Sequence, residues 1–442
     1  VISDLRTWAG AGVVAFTAAL VGSLAAALIV TAARVGGTTG LALYALSGTV
    51  ITFTLVSAIA VVGSVAGLTV ALQRRTHALW QLIGLAPAAV RVIVLAQLLL
   101  VGLLGAVAGV AIARPAVPAV GQWVLGGTTG LQTVQLHSGG GAWVAAGVLL
   151  IILAGGWRSA GVAARTEGVE LVRTPDPPQA RTGPLRWGIA AVLTVVLFSI
   201  TVSLRGRRSV EELASAESAL LLLAPLSAGV LITLGSLVVT PLLRGWTSLV
   251  PVRASASWHL ARAAAVHGSG RSGAVTAPLV LGVALTGGFF AGSGTIHNAL
   301  LSMGVDDPVV SARSVVLLLG GPLLLATVGA AATVFMAGRI RDREAALLLA
   351  AGASYGVVLL VAVWEALIHV VTATLLGLLG VAVTTAVAMW VVWSAAPGAT
   401  PATGLPAALT TAAVASMLLL VVTVLPTIVA LRRNVTDVLS GR

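Results

Sequence analysis

Residues 73–99 read QRRTHALWQLIGLAPAAVRVIVLAQLL, and residues 341–367 read RDREAALLLAAGASYGVVLLVAVWEAL. One offset of 268 aligns them, placing Arg343 on Arg75, Leu348 on Trp80, Gly352 on Gly84, Ala353 on Leu85 and Glu365 on Gln97. Each stretch opens with arginines that end a long apolar run, continues as a short amphipathic helix, stops at a glycine and starts another apolar run. Arginine heads stay at the headgroups while their stems cover apolar surface. A glycine just past the last helical turn supplies the left-handed residue that reverses the chain. Two such elbows in symmetric positions predict a membrane protein built on an internal repeat.

The rest of the chain agrees. Of its 442 residues, 58% are hydrophobic and 9% charged, with mean hydropathy +1.07. A soluble domain carries about 25% charged residues, so a soluble globular protein and a large soluble domain on either side are both excluded. Ten apolar runs reach the ~20 residues a crossing needs: near 10–33, 44–71, 91–113, 141–163, 186–204, 217–243, 273–293, 314–338, 356–392 and 405–431. The expected fold is an all-α polytopic membrane protein of about ten transmembrane helices. Cysteine is absent, which removes disulfides and thiolate metal sites. The N-terminus lacks the pattern of a removable signal peptide.

Every basic residue is an arginine, and the net charge is +12. The arginines stand singly or in short groups between apolar runs, a pattern of membrane orientation rather than nucleic-acid binding. Counted on alternate sides of the ten runs they divide 19 to 6, with Arg34, Arg114, Arg205, Arg207, Arg208 and Arg313 on the poorer side. The richer side is expected to be cytoplasmic, with both termini there, in a plasma membrane. Trp8, Trp157, Trp187 and Trp246 fall at inner edges and Trp143, Trp390 and Trp393 at outer ones, as interfacial anchors do. The expected outer loops are 34–43, 114–140, 205–216, 294–313 and 393–404. TPDPPQARTGP at 174–184 reads as an extended cytoplasmic linker. Segment 253–265 is expected to lie flat on the inner leaflet, with Trp258 and Leu260 facing lipid.

The elbows also carry a resemblance. Their Arg-rich helix end, LIGLAP or LLLAAGAS turn, and following Gln- or Glu-bearing apolar helix resemble the FtsX/MacB-type permeases of ABC transporters. Segments 3–33 and 253–292 look like that family's lead-in elements. The layout is similar to the ten-helix BceB-like arrangement: a first four-helix unit over 1–173, the linker 174–184, two connecting helices over 185–245, and a second unit over 246–442. The resemblance implies one permease chain with two copies of an ABC-type ATPase, which would hold ATP and Mg. The coupling helices it implies comprise Thr76, Leu79, Trp80, Leu82, Ile83, Gly84 and Leu85, and Glu344, Ala345, Leu348, Leu349, Gly352 and Ala353. Leu79, Trp80, Leu82 and Ile83, and Ala345, Leu348 and Leu349, form their apolar stripes. The large outer domain of many relatives is missing, since only about ten residues near 34–43 and about twenty near 294–313 stand in its place.

Catalytic chemistry is not legible. Without lysine there is no phosphate-binding G-x-x-x-x-G-K-[ST] loop. No residue pattern suggests a metal site or a nucleophile triad, so no cofactor is expected in this chain. Glu365 lies inside an apolar run with His369 one turn on, and Gln97 occupies the equivalent place. An intramembrane acid is a candidate for a proton relay or ligand contact, or else an interhelical hydrogen bond. Gly63/Gly67 and Gly105/Gly109 have the spacing that lets helices approach closely in lipid. Asp306 and Asp307 read as a solvated turn. Three functions stay open: an ATP-driven permease exporting a lipophilic or amphiphilic compound, a proton-coupled secondary transporter, and a membrane signalling protein regulated by an ATPase.

Overall fold

Backbone polar groups inside a bilayer must be satisfied within the segment, so apolar runs of this length become helices. The computed structural model describes residues 5–125, 134, 136–164, 184–206, 209–251, 255–267, 269–305, 312–393 and 395–431. Among the described residues there are thirteen helices and no strands. They are α1 (Leu5–Val35), α2 (Gly37–Leu72), α3 (Arg74–Leu82), α4 (Pro87–Leu125), α5 (Ser138–Ala164), α6 (Pro184–Ser203) and α7 (Val210–Thr233), followed by α8 (Gly235–Thr247), α9 (Ala256–His267), α10 (Ser269–Ser302), α11 (Ala312–Ala350), α12 (Tyr355–Trp393) and α13 (Leu405–Leu431). Ten of them, all but α3, α8 and α9, are long and apolar enough to cross a membrane. The protein is a multi-pass helical membrane protein. The linker 174–183, Asp306, Asp307, Arg432, Arg433 and Arg442 lie outside the described residues.

Inside the spans, hydroxyls find partners on their own helix. Ser23 donates to the Ala19 carbonyl (2.7 Å), Ser57 to Phe53 (2.7 Å), Thr69 to Val65 (2.8 Å) and Thr372 to Ile368 (2.7 Å). Each bond gives a buried hydroxyl an acceptor on its own helix.

The offset of 268 found in the elbows extends to four helices. Subtracting it carries α10 from 269–302 to 1–34 and α11 from 312–350 to 44–82, spanning the ends of α2 and α3. It carries α12 from 355–393 onto 87–125, the bounds of α4, and α13 from 405–431 to 137–163, one residue from α5. The packing repeats too: α1 touches α2, α4 and α5 while α5 touches α2 and α4, and α10–α13 make the same set of contacts. Five spans lie between equivalent helices, so both units run in the same direction and are related by an axis along the membrane normal. They meet through α1 and α2 on one side and α10 and α11 on the other. Val61 packs against Gly329, its own equivalent at the offset of 268, which marks the axis.

Small residues set the helix spacing. A methyl at Gly105 or Gly109 would strike the α1 backbone at the carbonyl oxygens of Gly12 and Phe16. One at Gly155 would come within 2.9 Å of the Gly63 Cα. The Gly105/Gly109 pair therefore seats α1 on α4, whereas at the Gly63/Gly67 pair it is Gly155 of α5 that permits the close approach to α2, and a Cβ at Gly63 itself would meet nothing within 4 Å.

Several expectations need correction. The sixth span is Val210–Thr233 rather than 217–243, because the Ser209/Glu212 capping box starts the helix early and shortens the expected 205–216 loop. The apolar residues after Leu234 form a separate amphipathic helix, α8. The expected 34–43 loop shrinks to Gly36 between α1 and α2, and α4 continues through Pro115 and Pro118 into the expected 114–140 loop. Trp258 does not face lipid. It is 4% exposed and sits edge-on to Trp246 (6.2 Å) and Trp364 (5.3 Å), aromatic partners that replace lipid as its apolar surroundings. Trp246 joins the same cluster and donates its indole N–H to Thr372 Oγ1 (3.0 Å) rather than to headgroup water.

Candidate functional site

The two elbows end alike at the level of single hydrogen bonds. In the first, the Gly84 N–H donates to the Gln81 carbonyl (3.0 Å) and the Leu85 N–H to the Trp80 carbonyl (3.0 Å). In the second, the Gly352 N–H donates to Leu349 (2.9 Å) and the Ala353 N–H to Leu348 (3.0 Å). This paired pattern is the Schellman cap, and it needs a left-handed residue. Gly84 has φ +98° and Gly352 φ +90°. The expected reversal at both glycines is therefore present, and α4 and α12 follow at once.

The two differ before the cap. The first elbow is a separate helix, α3, which breaks from α2 at Gln73 and packs on α4 and α5. The second was expected to be a separate short helix as well, but it is the unbroken end of α11. The bulk at the junction differs: α3 buries the His77 ring and half of Trp80 against the bundle, where the second copy has Ala345 and Leu348.

Both elbows turn the same face outward. In the first, Leu79 (55% exposed), Leu82 (64%) and Ile83 (76%) stand clear of the bundle, while Thr76, Trp80 and Leu85 are half-buried. In the second, Leu347 (55%), Ala350 and Ala351 occupy the equivalent exposed positions. The expected stripe of Ala345, Leu348 and Leu349 is half-buried, as are Glu344 and Ala353. The sequence reading missed Leu347, Ala350 and Ala351, although the offset of 268 from Leu79, Leu82 and Ile83 points directly at them. On the inward face Ala78 and Ala346, again 268 apart, are buried in both copies.

His77 was not singled out in the sequence, yet it is the buried titratable group of the first elbow. Its ring lies 5.5 Å from that of Trp80, and neither ring nitrogen has a hydrogen-bond partner. Desolvation by burial lowers its pKa below the ordinary histidine value, so the imidazole is held neutral.

The intramembrane polar residues lie apart from the elbows. Glu365 and His369 are buried on α12, and His369 Nδ1 bonds the Glu365 backbone carbonyl (2.6 Å). Gln97, their counterpart region on α4, is half-buried, and its Oε1 has no partner. Around Glu365 and His369, α8 and α9 cover α12 through the Trp246–Trp258–Trp364 cluster, with Arg262 Nε donating to Thr247 Oγ1 (3.1 Å). Among the described residues no group of three or more metal-ligating side chains comes together. The chain matches no family model, no curated protein and no solved structure.

Proposed function

We propose that this chain is the transmembrane permease of an ATP-driven transporter of the FtsX/MacB type, with one ABC ATPase subunit docked on each elbow. The observation that carries the reading is the pair of Schellman-capped elbows presenting equivalent residues outward: Leu79, Leu82 and Ile83 in one, Leu347, Ala350 and Ala351 in the other. Each elbow joins two spanning helices of its unit, so a force applied there reaches both. ATP-driven closure of two motor subunits would draw the elbows together and shift one four-helix unit against the other about the Val61–Gly329 axis. ATP and Mg belong to the partner. With few charges in the spans, the cargo is lipophilic or amphiphilic, enters from the bilayer and is exported. The arginine asymmetry supports a topology with elbows and termini on the cytoplasmic side of a plasma membrane.

Affinity purification from native membranes tests this. The full chain should recover an ATP-hydrolysing subunit of about 25 kDa, and Leu82→Arg with Leu347→Arg should release it while the ten-span protein stays in the membrane. Recovery unaffected by both substitutions would overturn the reading. The burial of Glu365 and His369 favours a second one, proton-coupled transport. It requires cargo movement without an ATPase, abolished by Glu365→Gln.

A further inference from the structure

Between Asp4 and Glu167 the sequence contains no acidic residue, so the four spanning helices of the first unit carry arginines and no carboxylate. Arg34 and Arg114 are exposed. Arg91 is different. It is half-buried, four residues into α4, with its Cζ 4.0 Å from the ring centroid of Trp157 on α5. Gly161, one turn beyond Trp157, leaves the guanidinium room, since a methyl there would stand 3.9 Å from its Cζ. Arg91 Nε is buried without any hydrogen-bond partner. Among the described residues no ion pair to Arg91 is present.

Burying Nε without an acceptor is costly, and stacking on an indole compensates only part of that cost. The stack fixes the plane of the guanidinium and leaves the terminal N–H groups at its edge. That is the geometry with which arginine takes a phosphate through two parallel bonds. The surroundings select the kind of phosphate. Val92 and Trp157, flanking the site on α4 and α5, are exposed apolar residues on helices whose outer faces meet lipid. The site lies at the elbow end of the bundle, the arginine-rich end, where anionic headgroups of the inner leaflet collect.

We propose that Arg91 and Trp157 form a binding site for the phosphate headgroup of an anionic phospholipid, seated beside the first elbow with its acyl chains along α4 and α5. The bound lipid supplies a counter-charge that no described residue gives Arg91.

The test uses the purified full chain, stripped of lipid in detergent and titrated by native mass spectrometry with palmitoyl-oleoyl phosphatidylglycerol. Phosphatidylcholine of the same chains and inorganic phosphate are the comparisons. Phosphatidylglycerol should bind about fivefold more tightly than phosphatidylcholine. Arg91→Gln should erase that preference, and Arg91→Lys, which keeps the charge without the planar fork, should restore part of it. Arg244→Gln, at an exposed arginine of α8, should leave it intact. Equal affinity for the two lipids, or a preference that survives in a folded Arg91→Gln protein, overturns the proposal. Competition by millimolar inorganic phosphate alone would mark a small-anion site and overturn the lipid assignment. If Arg91→Gln fails to fold, brominated phosphatidylglycerol should quench Trp157 more than brominated phosphatidylcholine does, read as the difference between the natural chain and Trp157→Phe. Equal quenching overturns the proposal as well.

Discussion

Substituting Gly84 and Gly352 by alanine separates backbone strain from crowding. Nothing lies within 4 Å of a Cβ built at either position, so alanine meets no steric obstacle. The whole cost comes from φ values of +98° and +90°, which an L-residue adopts at about 1–2 kcal/mol. That cost falls on the cap alone, because the cap is what requires the left-handed residue. The populations of the open cap should rise by about five- to thirtyfold. Amide hydrogen exchange reads this directly at Gly84 and Leu85, whose N–H groups bond Gln81 and Trp80 at 3.0 Å, and at Gly352 and Ala353 in the second elbow. Asparagine at either site should cost less, since it tolerates the left-handed region. Gly147 on α5 is the control: it has equal space around it but a helical φ, so Gly147→Ala should protect rather than expose, by about 0.5–1 kcal/mol. Unchanged exchange in Gly84→Ala, or deprotection spreading to Val94 and Leu98 in the α4 core, would refute the reasoning.

Three further outcomes are expected. Gly109→Val places a side chain on the Phe16 carbonyl and should lower the detergent-solubilised melting temperature sharply, whereas Gly63→Ala, with open space at its own Cβ, should not. In this cysteine-free chain, Val61→Cys with Gly329→Cys should form a disulfide under mild oxidation, because the Val61 Cβ lies 3.3 Å from a Cβ built at Gly329; failure to cross-link would remove the axis contact between the units. Burial keeps the folded pKa of His77 below 6.5, so its neutral form stabilises the first elbow above that pH. As pH falls below 6.5 the opened elbow takes up the proton first, and protection should drop by at most about 1.4 kcal/mol per pH unit; between pH 7.5 and 5.5 this slope should vanish in His77→Leu.

The ten spans were legible because length and hydropathy alone decide whether a run can cross a bilayer. The sixth was misplaced for the same reason. A hydropathy window rewards Leu237, Val238, Val239, Leu242 and Leu243 as if they extended a span, and penalises Glu211, Glu212 and Glu217, which sit in its first turns. Only the capping box and the break at Leu234 show that the span is 210–233 and that α8 is separate. The repeat was visible at the elbows, where arginine and glycine have defined jobs. It was invisible in the spans, where alanine, valine and leucine exchange freely and the alignment emerges only from shared helix bounds. Trp258 was misassigned because its partners, Trp246 and Trp364, sit on two other helices, one of them about a hundred residues away, and no local pattern announces that three indoles will meet.

The repeat is most informative where it fails. Helix α7 lies against α10, α12 and α2, covering one of the two seams between the units. Its seat consists of small residues: a methyl at Gly288 would come within 2.6 Å of the Ala224 Cβ, and one at Gly380 within 3.2 Å of Ser227 Oγ. Under the offset of 268 these positions fall on Leu20 and Ile112 in the first unit, and Gly292 falls on Leu24. Branched side chains there bar the close approach that α7 needs, so the second seam, between α1, α4 and α11, cannot take a helix in the same way. Ile368 and Thr372 follow the same logic. They are buried on the face of α12 that α8 and α9 cover, Thr372 accepting from the Trp246 indole, whereas their equivalents on α4, Leu100 and Leu104, are exposed. The duplicated frame therefore has one side closed by added helices over a polar core and one side left apolar and open to lipid. Under the proposed transport function a cargo entering from the bilayer would meet two chemically different flanks, and the open one belongs to the unit that holds Arg91.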